Sequence, residues 1–456
     1  MHPSSISSVS PFVITTMAII THLSLHLSLP PSLHRRSLLS PSPSLTSQRR
    51  RTSLLPLCSN QDSPTSSSDI TIIVPPSTNS SPTSPPLRVA FSGTDNGSHI
   101  YSSIAIADSL SLLHPNPQFL FLSTPSPSLS STSIPSAGYS ISPISNPFPS
   151  FFLLLPIALL HSTVSCLFLL SKFKPHVFVG TGGYLSLPAG IAAFILGIKV
   201  VVQEQNSSPG IESRVLGSFA ERVFLGFNGC VKYFQKEKCM VYGNPVRVSL
   251  KKYTSKAAAR LHFFPSSIKK GEGETQVILV LGGPTGASAV NYTVLNMYAD
   301  MLTEHKNRYI IWQTGPDRFA EMESLVRRHK RLLLTPFLHE MDLAYAAADV
   351  VVSRAGAMTC TEILATGKPS ILVPLSTSPN DHQTKNAYIM AEVAGSKVLT
   401  EDELDSSSLE TAIDEILGND KLREEMSEKA LSVAKPHASM DIAQCILSLL
   451  NVSAAK

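Results

Sequence analysis

One segment of the chain, residues 348–387, constrains the fold more than any other. It begins with an apolar run, Ala348–Val352, which predicts a buried strand of a parallel sheet. A turn of small residues follows, and then a helix that ends at Gly367, with Pro369 two residues later. A second apolar run, Ile371–Val373, predicts the next strand. This order of strand, turn, helix and strand is typical of an open α/β sheet.

The same segment carries side chains that suit a nucleotide sugar. Open α/β sheets bind ligands beyond the carboxyl ends of their strands, where a helix N-terminus attracts anions. Small side chains in the turn let a diphosphate reach the helix amides, Glu362 can accept hydrogen bonds from ribose hydroxyls, and Gln383 can bind a sugar. An ordinary strand–helix–strand unit, whose glycines only cap helices, is the alternative. The donor-binding residues predicted here are Gly356, Ala357, Met358, Thr359, Glu362 and Gln383.

The segment resembles the nucleotide-sugar half of the MurG family, bacterial enzymes that add N-acetylglucosamine to lipid I. The residues that carry the resemblance are, in order, Gly356, Glu362, Pro374, Gln383 and Asn386. The resemblance extends from about Arg88 to about Leu450. It implies a GT-B architecture, in which two doubly wound Rossmann-like α/β domains face each other across a cleft. It also implies an inverting, metal-independent transfer from UDP-N-acetylglucosamine to a lipid-linked acceptor, without a cofactor.

A glycine loop near the start of the folded region carries the predicted catalytic base. The apolar run Leu87–Phe91 predicts a strand that leads into the loop Ser92–Ser98 and a helix opened by His99. In the family this loop faces the acceptor's diphosphate and the sugar being moved. The resemblance implies that His99, as a neutral imidazole, takes the proton of the acceptor hydroxyl. A polar residue at a helix start, without a catalytic task, is the alternative. The loop residues implied in donor binding are Asn96, Gly97 and Ser98.

Two loops depart from the family pattern. Thr94 and Asp95 replace glycines, so a side chain and a negative charge stand where a diphosphate is expected. Pro284 replaces a serine that binds the donor diphosphate in the family, and Thr285 can compensate. These changes point to a second hypothesis, a binding or scaffold protein that kept the fold and lost turnover. The enzyme is favoured over it, because the residues retained from the family pattern are His99, Asn206, Arg247, Glu362 and Gln383. A third hypothesis is another lipid glycosyltransferase, such as a monogalactosyldiacylglycerol synthase.

Further motifs after predicted strands extend the site. Gln203–Asn206 is close to the family's His-Glu-Gln-Asn, and Gly243–Arg247 matches its Gly-Asn-Pro-Val-Arg at the domain junction. Both motifs argue against the third hypothesis. Arg247 is expected to reach a phosphate or the sugar across the cleft, and Leu338 to lie at a backbone clamp around uracil. The further donor-binding residues implied are Asn206, Arg247, Gly283, Thr285 and Leu338, and the acceptor-binding residues are Gly182, Gly183, Tyr184, Glu204 and Gln205.

The first 61 residues have the composition of a targeting segment. They contain no Asp or Glu and five Arg, together with many Ser, Pro and Leu. This pattern is typical of an organelle transit peptide, and the serine content favours a plastid over a mitochondrion. We therefore expect a chloroplast protein, associated with a membrane on the stromal side. The predicted segments are a transit peptide at 1–61, a disordered linker at 62–86, an acceptor- and membrane-facing domain at 87–245 and a UDP-sugar-binding domain at 246–456.

A long uncharged stretch predicts contact with a membrane surface. Residues 109–171 contain no Asp, Glu, Lys or Arg, and the apolar run 148–170 nearly has the length of a membrane span. Polar residues interrupt the run and a strand-like segment follows it, so a true span is the less favoured alternative. We expect a helix that rests on the membrane surface, with contact through residues 148–174.

Charge and cysteine usage exclude other partners. The net charge is only +4, and the sequence has no block of Lys and Arg with interleaved aromatic residues, so nucleic acid is not expected as a partner. The six cysteines form no Cys-x-x-Cys pair, which fits a reducing compartment. No His, Cys or carboxylate cluster at ligand spacing suggests a metal site.

The leader can be tested by itself. We expect residues 1–86, fused to a fluorescent reporter in plant cells, to carry the reporter into plastids, because their acid-free, Arg- and Ser-rich composition is that of a plastid address. Confocal microscopy against chlorophyll fluorescence measures the outcome. The matched control changes the five arginines of the leader to glutamate and should leave the reporter in the cytosol. A mitochondrial or cytosolic signal from the unchanged fusion would contradict the assignment.

Overall fold

A computed structural model describes residues 86–93, 97–123, 134–135, 137–144, 155–247, 250, 254–266, 275–283 and 286–451. These residues belong to one compact unit, Ser80–Lys456. Of Gly97 and Ser98 the structure describes the backbone. The sequence-based predictions that fall outside the described residues concern the transit peptide at 1–61, the linker up to 85, the membrane contact at 148–154, and the loop residues Thr94, Asp95, Asn96, Pro284 and Thr285.

The N-terminal half folds into a parallel sheet with helices on both faces. Its elements are β1 (Arg88–Ser92), α1 (Gly97–Leu113), β2 (Gln118–Ser123), β3 (Ile141–Pro143), α2 (Leu155–Phe173), β4 (Val177–Gly180), α3 (Ser186–Ile195), β5 (Lys199–Glu204), α4 (Ile211–Phe219), β6 (Arg222–Leu225) and β7 (Cys239–Met240). Within the described part, the seven strands lie in the order β3-β2-β1-β4-β5-β6-β7, all parallel. Central strands such as β4 are buried along their whole length, because both faces of the sheet are covered.

The C-terminal half repeats this plan. Its elements are α5 (Lys256–Phe263), β8 (Gln276–Leu281), α6 (Ser288–Glu304), β9 (Arg308–Gln313), α7 (Pro316–Leu325), β10 (Leu332–Thr335), α8 (Met341–Ala347), β11 (Val350–Ser353), α9 (Ala357–Thr366), β12 (Ser370–Leu372), α10 (His382–Ala394), β13 (Lys397–Val398), α11 (Ser406–Leu417) and α12 (Asp420–Val433), before the last helix, α13 (Ala438–Leu449). Among the described residues, six parallel strands lie in the order β10-β9-β8-β11-β12-β13. The predicted α/β class with two doubly wound units is confirmed.

The strand order reverses once in each sheet. β1 lies between β2 and β4, and β8 lies between β9 and β11, so the chain winds away from each of these strands in both directions. The loops that follow β1 and β4, or β8 and β11, therefore diverge and leave a crevice at the carboxyl edge. These are the loops in which the sequence analysis placed His99, the Gly182 turn, the Gly283 loop and the Gly356 turn.

The last helix joins the opposite half from the one expected. The sequence analysis assigned residues 440–450 to the C-terminal domain, whereas Ile442, Ala443, Ile446 and Leu447 are buried in the apolar core that contains Phe91 of β1. α13 also packs along α1. The spacing of apolar residues identifies an amphipathic helix, but it does not identify the surface that the apolar face covers.

Helix α2 is an integral layer of the N-terminal half. It connects β3 to β4 and packs against α3, with Cys166 and Leu170 fully buried. By length and composition alone it is also apolar enough to cross a membrane, a test that core helices of soluble proteins pass as well. Its outer face keeps Leu160 and Phe168 exposed. The helix is thus held by the sheet on one side and leaves an apolar stripe on the other.

Candidate functional site

His99 lies in the first turn of α1, directly against the loop that follows β4. A Cβ atom added to Gly182 would lie 3.1 Å from Nε2 of His99. Gly182 also has a φ of +99°, a conformation that side chains rarely adopt. The predicted base and the predicted acceptor loop are therefore in contact, and a glycine at position 182 makes that contact possible.

The backbone of His99 is fixed from two sides. The hydroxyl of Thr181 donates to the carbonyl oxygen of His99 at 3.1 Å, and the hydroxyl of Ser103 donates to the same oxygen at 3.0 Å. Thr181 and Ser103 are themselves 3.0 Å apart, and both are buried. Neither residue could be recognised from the sequence, because a threonine or serine inside a strand–turn–helix pattern carries no signal of its own.

The environment of His99 keeps its imidazole neutral. Burial, and to a smaller extent the nearby His382, lower the pKa of His99 from 6.5 to about 4. His382 is the first residue of α10, so this influence comes from the C-terminal half. At neutral pH the ring is therefore uncharged, which is the form of an imidazole that can act as a base.

Glu362 lies buried in the second turn of α9. The hydroxyl of Tyr345, on α8, donates to its Oε2 at 3.0 Å. Burial raises the pKa of Glu362, while the positive charge of Arg247 and the Tyr345 hydrogen bond act in the opposite direction. An ionised carboxylate has about four acceptor positions, so the predicted contact with ribose hydroxyls stays open beside the tyrosine. Tyr345 is a further residue that sequence analysis missed.

Arg247 connects the two halves of the chain. Its guanidinium lies over the ring of Tyr101 on α1, 3.5 Å from the ring centroid, which is a cation–π contact. Its charge also acts on Glu362. Its Nε atom is buried and has no hydrogen-bond partner. The prediction that Arg247 reaches a phosphate or sugar stays a prediction.

The turn before α9 has the form of an anion site. Gly356 is the N-cap residue of α9, and the first turn of this helix has no acidic residue that would compete for its amides. Ala357 and Met358 are buried, and Thr359 is partly exposed. The sulfur of Met358 accepts a hydrogen bond from Ser102 of α1 at 3.4 Å, which brings the two switch-point helices together.

The loop between β12 and α10 is shaped by two amides. Oε1 of Gln383 accepts a hydrogen bond from the backbone of Leu375 at 3.1 Å, so a sugar would meet the NH2 group of this amide. Asn386 donates to the carbonyl of Ala355 at 3.1 Å and accepts from the backbone of Ser207, in the N-terminal half, at 3.3 Å. Gln383 is thus available to a ligand at one end, whereas Asn386 holds loops together.

Gln313, at the end of β9, joins two loops of the predicted donor site. Its Nε2 donates to the carbonyl of Gly283 at 3.2 Å, and its Oε1 accepts from the backbone amide of Leu338 at 3.0 Å. Leu338 is buried, and Gly283 has a φ of +74°. The sequence analysis identified both loops but not the side chain that sets the distance between them.

The predicted acceptor loops are tied together mainly by internal hydrogen bonds. The carboxylate of Glu204 accepts from the amides of Asn206 at 2.9 Å and Gly210 at 3.3 Å, and burial raises its pKa. The amide of Gly183 donates to Glu212 at 3.0 Å. Glu204 therefore shapes its own loop, and the predicted role of this glutamate with an acceptor stays a prediction.

Gln205 and Tyr184 complete the acceptor side. Gln205 donates to the carbonyl of Thr181 at 3.1 Å and to the hydroxyl of Ser102 at 2.9 Å. Its Oε1 is buried without a hydrogen-bond partner. Tyr184 is half-buried and packs on the apolar core beneath α3. In the part of the chain that the structure describes, no group of three or more His, Cys, Asp or Glu residues could hold a metal ion.

Two family models match the chain. The glycosyltransferase family 28 N-terminal domain matches residues 89–225, and the glycosyltransferase family 28 C-terminal domain matches residues 277–444. The UDP-N-acetylglucosamine–N-acetylmuramyl-(pentapeptide) pyrophosphoryl-undecaprenol N-acetylglucosamine transferase of Salinibacter ruber is 35% identical over 362 residues, which cover 78% of this chain and 95% of that protein. The protein of the same name from Flavobacterium psychrophilum is 34% identical over 368 residues, covering 80% and 98%.

Solved structures share the fold. Acinetobacter baumannii MurG superimposes with a TM-score of 0.61 at 24% identity, covering 80% of this chain and 100% of that chain. The UDP-N-acetylglucosamine 2-epimerase of Neisseria meningitidis, bound to UDP-N-acetylglucosamine, gives a TM-score of 0.59 at 15% identity, covering 79% and 100%. These similarities confirm the predicted GT-B architecture. Since a transferase and an epimerase both have this fold, the fold by itself does not decide the activity.

Proposed function

The chain belongs to glycosyltransferase family 28, and we propose that it transfers N-acetylglucosamine from UDP-N-acetylglucosamine to a lipid-linked acceptor of the lipid I type. The observation that carries the proposal is the 35% identity to the Salinibacter ruber transferase across 95% of its length. The geometry supports it, because a neutral histidine from one switch point faces the half that carries a buried carboxylate and an open helix N-terminus.

The C-terminal half supplies the groups that bind the donor. Glu362 accepts hydrogen bonds from the ribose hydroxyls, and the amides of the first turn of α9 bind the diphosphate. Gln313 holds the Leu338 backbone and the Gly283 loop at a fixed distance from each other. The uracil lies near Leu338, and the phosphates lie near the Gly283 loop. Gln383 presents its NH2 group to the sugar.

The N-terminal half supplies the base. The acceptor hydroxyl loses its proton to the neutral imidazole of His99 while its oxygen forms a bond to the anomeric carbon of the sugar. The bond between that carbon and the phosphate oxygen breaks, and UDP leaves with the electron pair. Negative charge grows on the phosphate as this bond breaks, and the N-terminal amides of α9 stabilise it.

The alternatives have less support. A monogalactosyldiacylglycerol synthase does not account for the close similarity to N-acetylglucosamine transferases over nearly their full length. A scaffold without turnover was suggested by Asp95 and Pro284, which lie outside the described residues. Both residues that the proposed chemistry uses are present: Glu362 is buried, and His99 is neutral at neutral pH because its pKa is lowered.

Transfer itself is the first test. We expect the full chain to move N-acetylglucosamine from UDP-N-acetylglucosamine to a lipid I analogue, and His99→Gln to reduce kcat about 10²- to 10⁴-fold because the general base is lost. Because the neutral imidazole is the active form, kcat at saturating donor should rise with pH through the pKa of His99, about 4, and stay flat near 6.5. His329→Gln, an exposed histidine outside the site, is the control. A protein that binds donor without transferring sugar would favour the scaffold hypothesis.

Donor binding is the second test. Glu362→Gln should weaken UDP binding by about 1.5–3 kcal/mol, or about 10- to 150-fold, because charge-assisted hydrogen bonds to ribose are lost. In the parent protein the affinity should fall as the pH decreases through the raised pKa of Glu362, and the variant should lack this component. Calorimetry at several pH values measures both effects. Glu424→Gln, an exposed glutamate on α12, should bind UDP like the parent, and equal affinity in Glu362→Gln would refute the site.

We also propose that the apolar stripe on α2 rests on a membrane. Ile157, Leu160, Val164 and Phe168 recur at helical spacing, and Leu160 and Phe168 are 59% and 69% exposed. Phe194 and Ile195, at the end of α3, extend the apolar surface. Lys172, in the last turn of α2, favours anionic lipid headgroups. A lipid-linked acceptor would reach the N-terminal half from such a surface.

Membrane contact can be measured with vesicles. Leu160→Gln together with Phe168→Gln should reduce co-sedimentation with vesicles of phosphatidylglycerol and phosphatidylcholine by about 10- to 100-fold, since each inserted side chain contributes about 1 kcal/mol or more. The control is Leu325→Gln, which removes an equally exposed leucine from α7 in the C-terminal half. Unchanged vesicle binding by the double variant would exclude this stripe as the contact.

The leader composition supports one more proposal, that the protein acts in the chloroplast, on the stromal side of a membrane. The absence of acidic residues before Asp62 and the five arginines are the basis for it. The fusion of residues 1–86 to a fluorescent reporter tests this placement independently of the enzymatic assays.

A further inference from the structure

Direct contacts hold the two halves together near the site. Ser102 donates to the sulfur of Met358, and the backbone of Ser207 donates to Asn386. A third contact runs from the side chain of Asn244, in the Gly-Asn-Pro motif, to Thr361 on α9. In this third contact the amide of Asn244 forms hydrogen bonds through both its nitrogen and its oxygen. Thr361 is the residue before Glu362.

The amide of Asn244 is bonded at both ends. Its Nδ2 donates to the backbone oxygen of Gln205 at 3.0 Å and to Oγ1 of Thr361 at 3.1 Å, and its Oδ1 accepts from Gln203 at 3.3 Å. Asn244 is only 2% exposed. A Cβ atom at Gly226 would lie 2.3 Å from Oδ1 of Asn244, so a glycine is needed beside it. The three hydrogen bonds and the nearby glycine fix the orientation of this amide.

These hydrogen bonds continue to His99. Gln205, whose carbonyl binds Asn244, donates through its own side chain to the carbonyl of Thr181 at 3.1 Å. The hydroxyl of Thr181 in turn donates to the carbonyl of His99 at 3.1 Å. A continuous series of hydrogen bonds therefore runs from the backbone of His99 through Gln205 and Asn244 to Thr361.

This series of hydrogen bonds connects the residue that acts on the acceptor with the helix that binds the donor. His99 removes the proton from the acceptor, and Glu362, next to Thr361, orients the donor. Transfer requires the reacting atoms to be about 3–3.5 Å apart, and a small misplacement reduces the rate strongly. A single rigid amide between the halves is suited to set this distance.

We propose that Asn244 is a positioning residue, which fixes the spacing between the base and the donor helix through its hydrogen bond to Thr361. The inference rests on the proposed function for its catalytic meaning. Its structural meaning does not depend on that function, since the Asn244–Thr361 contact holds His99 in its present surroundings whether or not sugar is transferred.

The test uses the full chain and replaces the acceptor end of the contact. Thr361→Val keeps the size of the side chain and removes the hydroxyl, whereas Thr361→Ser keeps the hydroxyl and serves as the matched control. Thr361→Val should lower kcat for sugar transfer about 10- to 100-fold, since positioning is lost, with the Kd for UDP within about twofold. Thr361→Ser should retain most of the turnover. Asn244→Asp, which loses both donors, should act in the same direction as Thr361→Val.

A spectroscopic readout separates this inference from the proposed function. Burial, and to a smaller extent the nearby His382 of the other half, lower the pKa of His99, so loosening the halves should reduce both effects and move its titration midpoint upward from about 4. Carbon-13-labelled histidine, followed by NMR during an acid titration, reports this midpoint without any substrate. A rise in Thr361→Val but not in Thr361→Ser supports the inference, even if the parent shows no transfer.

Two results would overturn the inference. One is a Thr361→Val protein with the turnover and the His99 midpoint of the parent. The other is a parallel loss of UDP affinity and turnover with an unchanged midpoint, which would indicate local damage to α9 rather than lost positioning. An inactive parent that binds UDP would refute the proposed transferase activity and leave the NMR result to decide the role of Asn244.

Discussion

The site depends on one topological constraint, the reversal of strand order in each parallel sheet. At β1 and at β8 the neighbouring connections run in opposite directions, so the loops beyond these strands separate and leave a crevice. His99 lies in the first turn of α1, the helix that follows β1, and Gly356 is the N-cap residue of α9, the helix that follows β11. The position of the candidate site in each half therefore follows from the reversal of the strand order, whatever the individual side chains are.

Burial shifts the pKa values of Glu362 and His99 in opposite directions. It raises the pKa of the Glu362 carboxyl, and the positive charge of Arg247 with the hydrogen bond from Tyr345 works against this effect. At His99 burial lowers the pKa, and the neighbouring His382 lowers it further. The same low-polarity surroundings therefore supply a neutral base on one side, while the carboxylate on the other side receives compensating partners.

The residues that support the site were the hardest to recognise in the sequence. His99 and Glu362 stand in motifs and were identified, but Tyr345 contacts Glu362 from 17 residues away, and Thr181 contacts His99 from 82 residues away. Gln313 joins two loops that lie 25 and 30 residues from it. A supporting residue needs only a hydrogen-bonding group at the right place in space, so its type and spacing leave no pattern.

The sequence by itself determined the strands, the helices, their alternation and the glycine turns, because apolar runs and turn residues act over a few neighbouring positions. It also determined the family through motifs that keep their order along the chain. Only the tertiary structure decided that α13 packs against the N-terminal core and that Arg247 lies over the ring of Tyr101. It alone showed that burial and the neighbouring His382 lower the pKa of His99. Packing partners and pKa values depend on which distant residues come into contact, and local sequence patterns carry no information about such contacts.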